Sequence, residues 1–323
     1  MPQIQTQMRN ENLEMEPAEM KSQAESTEQI RQNRRNSEDS WTPGRIFAHI
    51  VLLIISLTII VPSIWVLIAS FKEQSEFYGS PWTLPKGFYF QNYIDAFIDS
   101  GIGQSFLISV IVTVIAMVIS MSVALPCAYA LARYDFPGKK ILQLAVQGLL
   151  FVNVNYIVVP IFLLLIGADN IVRAFLPDGF FIDNIFILAL VYGATSLPFT
   201  IYLLQDFFAA IPKEYEEAAM IDGAGLTRTM VQIFFPLAKP AISMAMLFNF
   251  LSYWNDYVIS MTLITGERKT VQVGMLNLMS TAHSATNYGR LYAGMVIVAI
   301  PVIIFYIVVQ KKLLQVSTGG GIK

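Results

Sequence analysis

The chain alternates between long apolar stretches and short segments that carry charge. Five stretches of 20 to 33 residues contain no Asp, Glu, Lys or Arg, at 46–71, 100–132, 141–168, 184–205 and 291–310. Another, between Lys239 and Glu267, is broken only by Asp256. A helix needs about 20 apolar residues to cross the hydrocarbon core of a bilayer. The pattern predicts six spans, near 46–71, 104–132, 141–167, 185–207, 240–264 and 290–311.

The spans are predicted to be helical. A transmembrane barrel consists of segments of about 10 residues with alternating hydrophobicity, whereas these stretches are continuously apolar. Prolines lie inside five of the stretches, at Pro62, Pro126, Pro160, Pro198 and Pro301. In a bundle, neighbouring helices can satisfy the carbonyls that a proline frees. The predicted fold class is therefore all-α, a polytopic membrane protein with six transmembrane helices.

Composition narrows the function classes. The chain is 55% hydrophobic and 14% charged, while soluble domains carry about 25% charged residues. This excludes a purely soluble enzyme and a disordered chain. The formal charge of −2 argues against nucleic-acid binding. One cysteine, Cys127, excludes an internal disulfide, and two isolated histidines, His49 and His283, argue against a zinc cluster, so no metal site is predicted.

Residues 1–45 differ from the rest because they hold 14 of the 44 charged residues. Such a polar segment buries too little apolar area to offset the entropy of ordering, so a disordered tail is predicted. It lacks the basic start and apolar run of a signal peptide. The predicted organisation is a tail at 1–45, a six-helix domain at 46–312 and a C-terminal tail at 313–323.

The orientation follows from the basic residues. An even number of spans places both termini on one side of the membrane. With both termini inside, the inner segments hold 15 Lys and Arg and the outer segments hold 6. Basic residues are enriched on the cytoplasmic side, so both termini are predicted to be cytoplasmic.

The connection at 206–239, between the fourth and fifth spans, has a distinct pattern. Pro212 suits the first turn of a helix, and acidic residues follow at 214, 216 and 217, where the helix dipole favours them. Gly223 can end that helix in a left-handed cap. A second short helix is predicted from Leu226 to Phe235, ending at Pro236. Two interpretations remain open, an amphipathic helix on the membrane surface and a docking helix for a cytoplasmic partner.

Polar residues inside the spans are the candidates for a solute path. Asp256 is the only charged residue in the interior of a predicted span. Placing an ionised carboxylate at membrane depth costs about 2.5–3.5 kcal/mol or more. It serves either a hydrogen bond to a neighbouring helix or the path itself. Trp254 and Tyr257 either stack on a solute or pack as ordinary aromatics. Asn153 and Asn155 lie about 200° apart on a helix, so only one of them is expected to face a pore.

Several motifs across 46–323 resemble one family. Glu217-Ala218-Ala219, Gly223, Ile233 and Pro236 are similar to the EAA signature of ABC-importer permeases, with Phe235 where leucine is usual. Other segments resemble the maltose and multiple-sugar subfamily, namely Phe71-Lys72, Tyr129 to Lys139, Leu197-Pro198-Phe199, Trp254 to Tyr257 and Thr318 to Lys323.

The resemblance implies a type I ABC-importer permease in a bacterial inner membrane, with 206–239 as its coupling-helix loop. The implied ATPase-coupling residues are Glu217, Ala218, Ala219, Gly223, Ile233 and Pro236. The implied partners are a second permease subunit, two ATP-binding cassette subunits and an extracytoplasmic solute-binding protein. The sequence contains no G-x-x-x-x-G-K-[ST] phosphate loop. We therefore expect a transport subunit that is not an enzyme and holds no cofactor, with ATP and Mg²⁺ bound by the ATPase.

The implied function is half of a translocation pathway for a sugar or oligosaccharide, with Asn153, Asn155, Asp256 and Tyr257 as the candidates for the path. Three alternatives remain, the same architecture for another solute, an ion-coupled carrier, and a membrane enzyme or signalling anchor. A carrier would usually carry inverted repeats and several intramembrane ionisable groups. An intramembrane enzyme would need paired catalytic residues, and Asp256 stands alone in the sequence of the spans.

Overall fold

The computed structural model describes residues 43–78, 82–177, 179–285 and 287–319. All but the last three residues of the predicted N-terminal tail, and the end of the C-terminal tail, lie outside these ranges. The described residues form α-helices and no strands. The helices are α1 (Pro43–Ala69), α2 (Gln91–Ile94), α3 (Ile102–Arg133), α4 (Lys139–Leu149), α5 (Val154–Val172), α6 (Ile185–Ala210), α7 (Glu214–Ile221), α8 (Leu226–Thr229), α9 (Phe235–Leu237), α10 (Lys239–Asn255), α11 (Val258–Leu263), α12 (Val271–Ala285) and α13 (Tyr288–Gly319).

Among the described residues, five helices are long and apolar enough to cross a membrane, namely α1, α3, α5, α6 and the Tyr288–Gln310 part of α13. The segments Leu226–Leu237 and Lys239–Asn255 meet at 77° and provide a sixth span if the bent pair counts as one. These elements confirm the predicted all-α polytopic fold. The chain divides into two compact units, Met1–Ile64 and Trp65–Lys323. The second unit contains helices α2 to α13.

The third predicted span, 141–167, is wrong as a single helix. The short helix α4 ends at Leu149, and α5 begins only at Val154. Between them, Asn153 has an extended backbone, and its Oδ1 accepts a hydrogen bond of 3.0 Å from the Asn155 amide. An asparagine in this geometry caps the N-terminus of a new helix. The apolar segment that spans is therefore α5, which extends to Val172.

The fifth predicted span, 240–264, is also interrupted. Helix α10 ends at Asn255, and Asp256 has an extended backbone (φ −74°, ψ 132°). The chain resumes a helix only at Val258. The physical reason lies in the Asp256 carboxylate, which accepts a hydrogen bond of 3.1 Å from the Ser260 amide in the first turn of α11.

Helices α3 and α6 form the centre of the second unit. Small residues at every fourth position of α3 are completely buried, at Ala116, Ser120, Ala124 and Ala128. Opposite them on α6, a side chain at Gly193 would meet Ile119 at 3.0 Å and the Ala116 carbonyl at 3.3 Å. Small residues allow membrane helices to approach closely. This stripe therefore sets the distance between the two helices.

Helix α12 is an element that the hydrophobic pattern did not predict. Its first amide, on Val271, donates a 2.7 Å hydrogen bond to the Ser109 hydroxyl of α3. A side chain at Gly274 would approach the Ser105 hydroxyl to 2.8 Å. Val271 also belongs to a buried apolar cluster with Ile102 of α3. With 15 residues this helix is shorter than a membrane span, so it gives little signal in a search for spans.

Two carboxylates fold the segment between α5 and α6. Asp169 accepts hydrogen bonds from the Phe180 and Phe181 amides at 2.7 and 2.8 Å. Asp183 accepts one of 2.9 Å from the Gly266 amide, which follows α11. This second bond joins the start of α6 to the end of α11, and it fixes the two helices that bring Tyr192 and Asp256 together.

Candidate functional site

A polar cavity of about 260 Å³ lies between α5, α6, α10 and α11. Its walls carry mainly hydroxyl, amide and carboxylate groups, and they consist of Asn153, Val154, Asn155, Tyr192, Thr195, Ser196, Ser252, Tyr253, Asp256 and Ile259. Three of the four residues predicted for a solute path, Asn153, Asn155 and Asp256, meet here. We call this space the polar cavity.

Both interruptions of the predicted spans border the polar cavity. Asn153 ends the break before α5, and Asp256 forms the break before α11. Non-helical backbone at membrane depth is tolerated only where protein covers it or where it lines a water-filled cavity. The two breaks therefore place freed backbone and capping side chains around one polar space.

Asp256 is held by three donors. The Tyr192 hydroxyl donates to Oδ2 at 2.7 Å, the Ser260 amide to Oδ2 at 3.1 Å and the Ile259 amide to Oδ1 at 3.5 Å. The carboxylate thus bonds to a neighbouring helix, caps α11 and borders the cavity at once. The two interpretations of Asp256, a hydrogen bond to a neighbouring helix and a place on the solute path, are therefore compatible. The carboxylate has polar surroundings and is not exposed only to lipid.

Sequence reasoning missed the tyrosine pair behind this carboxylate. The rings of Tyr192 and Tyr253 stack with centroids 5.5 Å apart and planes 2° apart. The Tyr253 hydroxyl shares a hydrogen bond with the Ser196 hydroxyl. Both tyrosines are buried. Their phenol groups bring polar atoms to the cavity from otherwise apolar helix faces, and no charge or motif in the sequence marks them.

The polar contacts continue along the α3–α6–α10 interface. The Asn249 amide nitrogen donates to the Thr200 hydroxyl at 3.0 Å, and it lies 3.4 Å from the Ser120 hydroxyl. The Thr200 hydroxyl in turn donates to the Ser196 carbonyl at 2.9 Å. Interhelical hydrogen bonds of this kind hold membrane helices together. The three central helices are therefore linked through the same row of groups that borders the cavity.

The premise behind the prediction that only one of Asn153 and Asn155 faces a pore is wrong, while the prediction about the pore itself stays a prediction. It assumed a continuous helix, in which residues two apart lie about 200° apart. Asn153 instead has a non-helical backbone and caps α5. Both asparagines can therefore line the polar cavity.

The two aromatics beside Asp256 lie in different surroundings. Trp254 is buried, and its indole nitrogen donates to the Val298 carbonyl at 3.1 Å. It is a packing residue, as one of the two interpretations from the sequence held. Tyr257 is 49% exposed and is not part of the wall of the polar cavity. The structure therefore does not bring Tyr257 together with the other path candidates.

The 206–239 loop forms the helix that its pattern predicts. Helix α7 begins at Glu214, and Gly223 follows it with φ +71°. The Ala224 amide donates to the Ala219 carbonyl at 2.9 Å, which closes the left-handed cap. Glu217 and Ala218 are exposed, whereas Ala219 is buried. The EAA residues thus lie in one helix, with one alanine packed inward and two residues facing outward.

The second limb of the loop differs from the prediction. A helix from Leu226 was expected to end at Pro236, but a π-helical turn (Met230–Phe234) follows α8, and α9 continues to Leu237. Pro236 lies in the first turn of α9, where its missing N–H is no loss. Ile233 is half-buried in the π-helical turn, and Pro236 is exposed.

Large apolar side chains lie exposed on the loop. They are Tyr215, Met220, Ile221, Leu226 and Val231, with Ile221 86% exposed. The acidic side chains of Glu214, Glu217 and Asp222 lie beside them and are also exposed. We call this mixed apolar and acidic patch the loop surface.

A family comparison decides the identity of the chain. A family model described as "Binding-protein-dependent transport system inner membrane component" matches residues 122–313, which include the polar cavity and the loop. The chain belongs to this family. It is therefore a multi-pass membrane component of a transport system.

Individual proteins similar to this chain are also components of transport systems. The diacetylchitobiose uptake system permease protein of Streptomyces coelicolor is 37% identical over 267 residues, 82% of this chain and 85% of that one. The trehalose/maltose transport system permease protein of Thermococcus litoralis is 28% identical over 86% of this chain and 97% of that one. The crystal structure of a bacterial ABC transporter for alginate import contains a chain with TM-score 0.70 and 26% identity, covering 84% of this chain and 98% of that one.

The capping role of Asp256 in this transport component yields a prediction. Asp256→Leu leaves the Ser260 amide and the Tyr192 hydroxyl without their acceptor. Each unsatisfied buried donor lowers the stability of the folded protein by about 1–3 kcal/mol. We expect a lower yield of folded protein and a lower melting temperature in detergent. Asp256→Asn retains an acceptor oxygen, so its yield should stay near that of the wild type. Equal melting temperatures for Asp256→Leu and wild type would contradict the capping role.

Proposed function

We propose that this chain forms one half of the translocation pathway of an ATP-driven importer for a sugar or oligosaccharide. The observation that carries the proposal is the polar cavity between the two helix breaks, lined by hydroxyls, amides and one carboxylate. Sugar hydroxyls both donate and accept hydrogen bonds, as the serine, threonine and tyrosine hydroxyls of the cavity do. The printed names of relatives for diacetylchitobiose and trehalose/maltose uptake support the same solute class.

The charge of the cavity favours a neutral solute. Asp256 is the only Asp, Glu, Lys or Arg among the residues that line it. A neutral sugar can donate hydroxyl protons to this carboxylate, whereas an acidic sugar would bring a second negative charge close to it. Like-charge contacts discriminate against a ligand. We therefore expect the solute to differ in charge from the acidic polysaccharide named for the alginate importer.

The first experiment measures solute-stimulated ATP hydrolysis and uptake by the assembled complex in proteoliposomes, over a panel of solutes. Neutral disaccharides and oligosaccharides should stimulate both activities, and uronate oligosaccharides should not. Amino acids and peptides serve as controls of the same size range. Stimulation by a control solute alone would contradict the sugar assignment and support the same architecture with another substrate.

We further propose that the loop surface docks on a separate ATPase subunit. Its residues Tyr215, Met220 and Ile221 are exposed apolar side chains outside the candidate spans, and a docked partner would cover them. In this scheme ATP and Mg²⁺ bind to the ATPase, and this chain holds no cofactor. A second permease subunit completes the pathway, and an extracytoplasmic binding protein delivers the solute, as the family description "binding-protein-dependent" supports.

Gly223 offers a test with a matched control. A Cβ at Gly223 meets no atom within 4 Å, but φ is +71°, so an alanine there is strained by about 1–2 kcal/mol. Gly225, two residues on, is equally open but has φ −73°, which any residue adopts. Gly223→Ala should lower transport per ATP hydrolysed or weaken ATPase binding, while membrane insertion stays normal. Gly225→Ala should behave like the wild type.

If Gly223→Ala and the bulkier Gly223→Leu both transport as much solute per ATP as the wild type, the proposed contact between the loop and the ATPase is wrong. Co-purification of the ATPase with each variant provides the binding measurement, and uptake divided by ATP hydrolysis provides the coupling measurement.

The proposed orientation places both termini in the cytoplasm. The excess of basic residues in the inner segments, 15 against 6, supports it. In a Cys127→Ala background, Ile98→Cys and Met220→Cys compare two positions of similar exposure, 68% and 61%. A membrane-impermeant thiol reagent should label position 98 in intact cells and should reach position 220 only after lysis and removal of the ATPase that is proposed to cover it. Labelling of position 220 in intact cells would reverse the orientation.

A further inference from the structure

The end of α3 contacts both limbs of the 206–239 loop. The Arg133 guanidinium donates a hydrogen bond to the carbonyl of Ile211, which directly follows α6 on the first limb. The same guanidinium lies 4.7 Å from the ring centroid of Phe234, on the second limb. One arginine thus bridges the two points at which the loop leaves and rejoins the membrane helices.

The next residue reaches the helix at the tip of the loop. The Tyr134 hydroxyl donates to the Glu216 carboxylate at 3.0 Å. Glu216 lies in the first turn of α7 and is half-buried. Burial is the main cause that raises the pKa of Tyr134 above its ordinary value, so the phenol keeps its proton at neutral pH and remains a donor. This bond connects α7 to α3 without passing through the spans that flank the loop.

Buried aromatic rings also pack at the contact between α3 and the loop. The Tyr129 ring lies 5.0 Å from the Phe234 ring and 5.9 Å from the Phe208 ring, both in edge contacts. All three side chains are nearly inaccessible. Aromatic pairs in this geometry contribute more than their buried area alone. The base of the loop is therefore packed rigidly on the end of α3.

The Arg133 side chain is incompletely satisfied in this arrangement. Its Nε atom is buried and has no hydrogen-bond acceptor within the described part of the chain. A buried donor without an acceptor carries an energetic cost. The bond to Ile211 and the contact with Phe234 therefore hold the guanidinium between the two limbs of the loop.

We propose that Arg133 and Tyr134 are positioning residues that link α7 to α3, so that a movement of the loop moves α3 together with α6 and α10. The proposal rests on the proposed function, because it concerns how the ATPase contact reaches the pathway. Ile108, Val112 and Ala116 of α3 belong to the same packed cluster as Tyr192 and Tyr253 of the cavity wall. The link therefore extends from Glu216 to the polar cavity along one helix.

Tyr134→Phe tests the link because it removes the hydroxyl, with its 3.0 Å bond to Glu216 and its 3.4 Å contact with the Tyr129 hydroxyl, and leaves the ring in place. In the assembled complex, solute imported per ATP hydrolysed should fall by about threefold or more, as the loss of one hydrogen bond permits. Complex yield and melting temperature should stay at the wild-type level. Glu216→Gln is the matched control, since its amide oxygen still accepts from Tyr134, and its ratio should remain within about twofold of wild type. An unchanged ratio in Tyr134→Phe overturns the proposal.

A cross-link gives a second, independent measurement. Cysteines replace Tyr134 and Glu216 in the Cys127→Ala background, and a short bifunctional thiol reagent joins them. If α7 and α3 move together, the cross-linked complex transports at least as well per ATP as the same variant before cross-linking. Transport lost on cross-linking and regained with a cleavable reagent shows that the two residues must separate, which overturns the link. A wild-type complex that hydrolyses ATP without importing any sugar contradicts the proposed function instead.

Discussion

The absence of water in the hydrocarbon core is the constraint on which the rest of this structure depends. Backbone groups without partners are costly there, so a membrane helix can be broken only where other groups satisfy it. The chain breaks at 150–153 and at 256–257, and both breaks carry their own capping side chain, Asn153 and Asp256. The capping groups are also the polar walls of the cavity. The same residues thus solve a structural problem and line the polar cavity.

Close packing of α3 against α6 connects this cavity with the 206–239 loop. The stripe of small residues on α3 lets the two helices approach, and hydrogen bonds from the Asn249 amide nitrogen to the Thr200 and Ser120 hydroxyls add α10 to the pair. At the other end of α3, Arg133 and Tyr134 contact the loop. Closely packed side chains have low compressibility, so a packed interior transmits strain and does not absorb it. A displacement at the loop is therefore expected to move whole helices and to alter the cavity wall rather than to dissipate in the bundle.

Under the proposed function, the polar cavity combines two kinds of selectivity. Hydroxyls and amides suit many sugars, while the single carboxylate among the lining residues disfavours anions. The tyrosine pair places Asp256 by a 2.7 Å bond from Tyr192, and Tyr253 stacks behind it. Neither tyrosine ring is free to stack on a sugar, because the two rings stack on each other and both side chains are buried. Contacts to a solute would therefore come from hydroxyl and amide groups at the rim and from the carboxylate.

The sequence by itself determined the class of the protein. Long uncharged stretches predict helical spans because length and hydrophobicity alone decide whether a helix is stable in lipid. The capped helix ending at Gly223 was equally predictable, since an acidic first turn and a glycine cap are local properties of the chain. The coupling role of Glu217 and its neighbours remains a prediction from resemblance.

Only the tertiary structure decided where the spans break and which residues meet. A capping asparagine or aspartate inside an apolar run looks the same in the sequence as a polar residue on a continuous helix, so the spans 141–167 and 240–264 were drawn too long. Tyr192, Tyr253 and Ser196 carry no charge or motif, and their place at the cavity depends on the packing of α6 against α10. The contacts of Arg133 and Tyr134 join residues about 80 positions apart in the chain. Local pattern cannot contain such pairs, because they form only when helices distant in sequence are brought together.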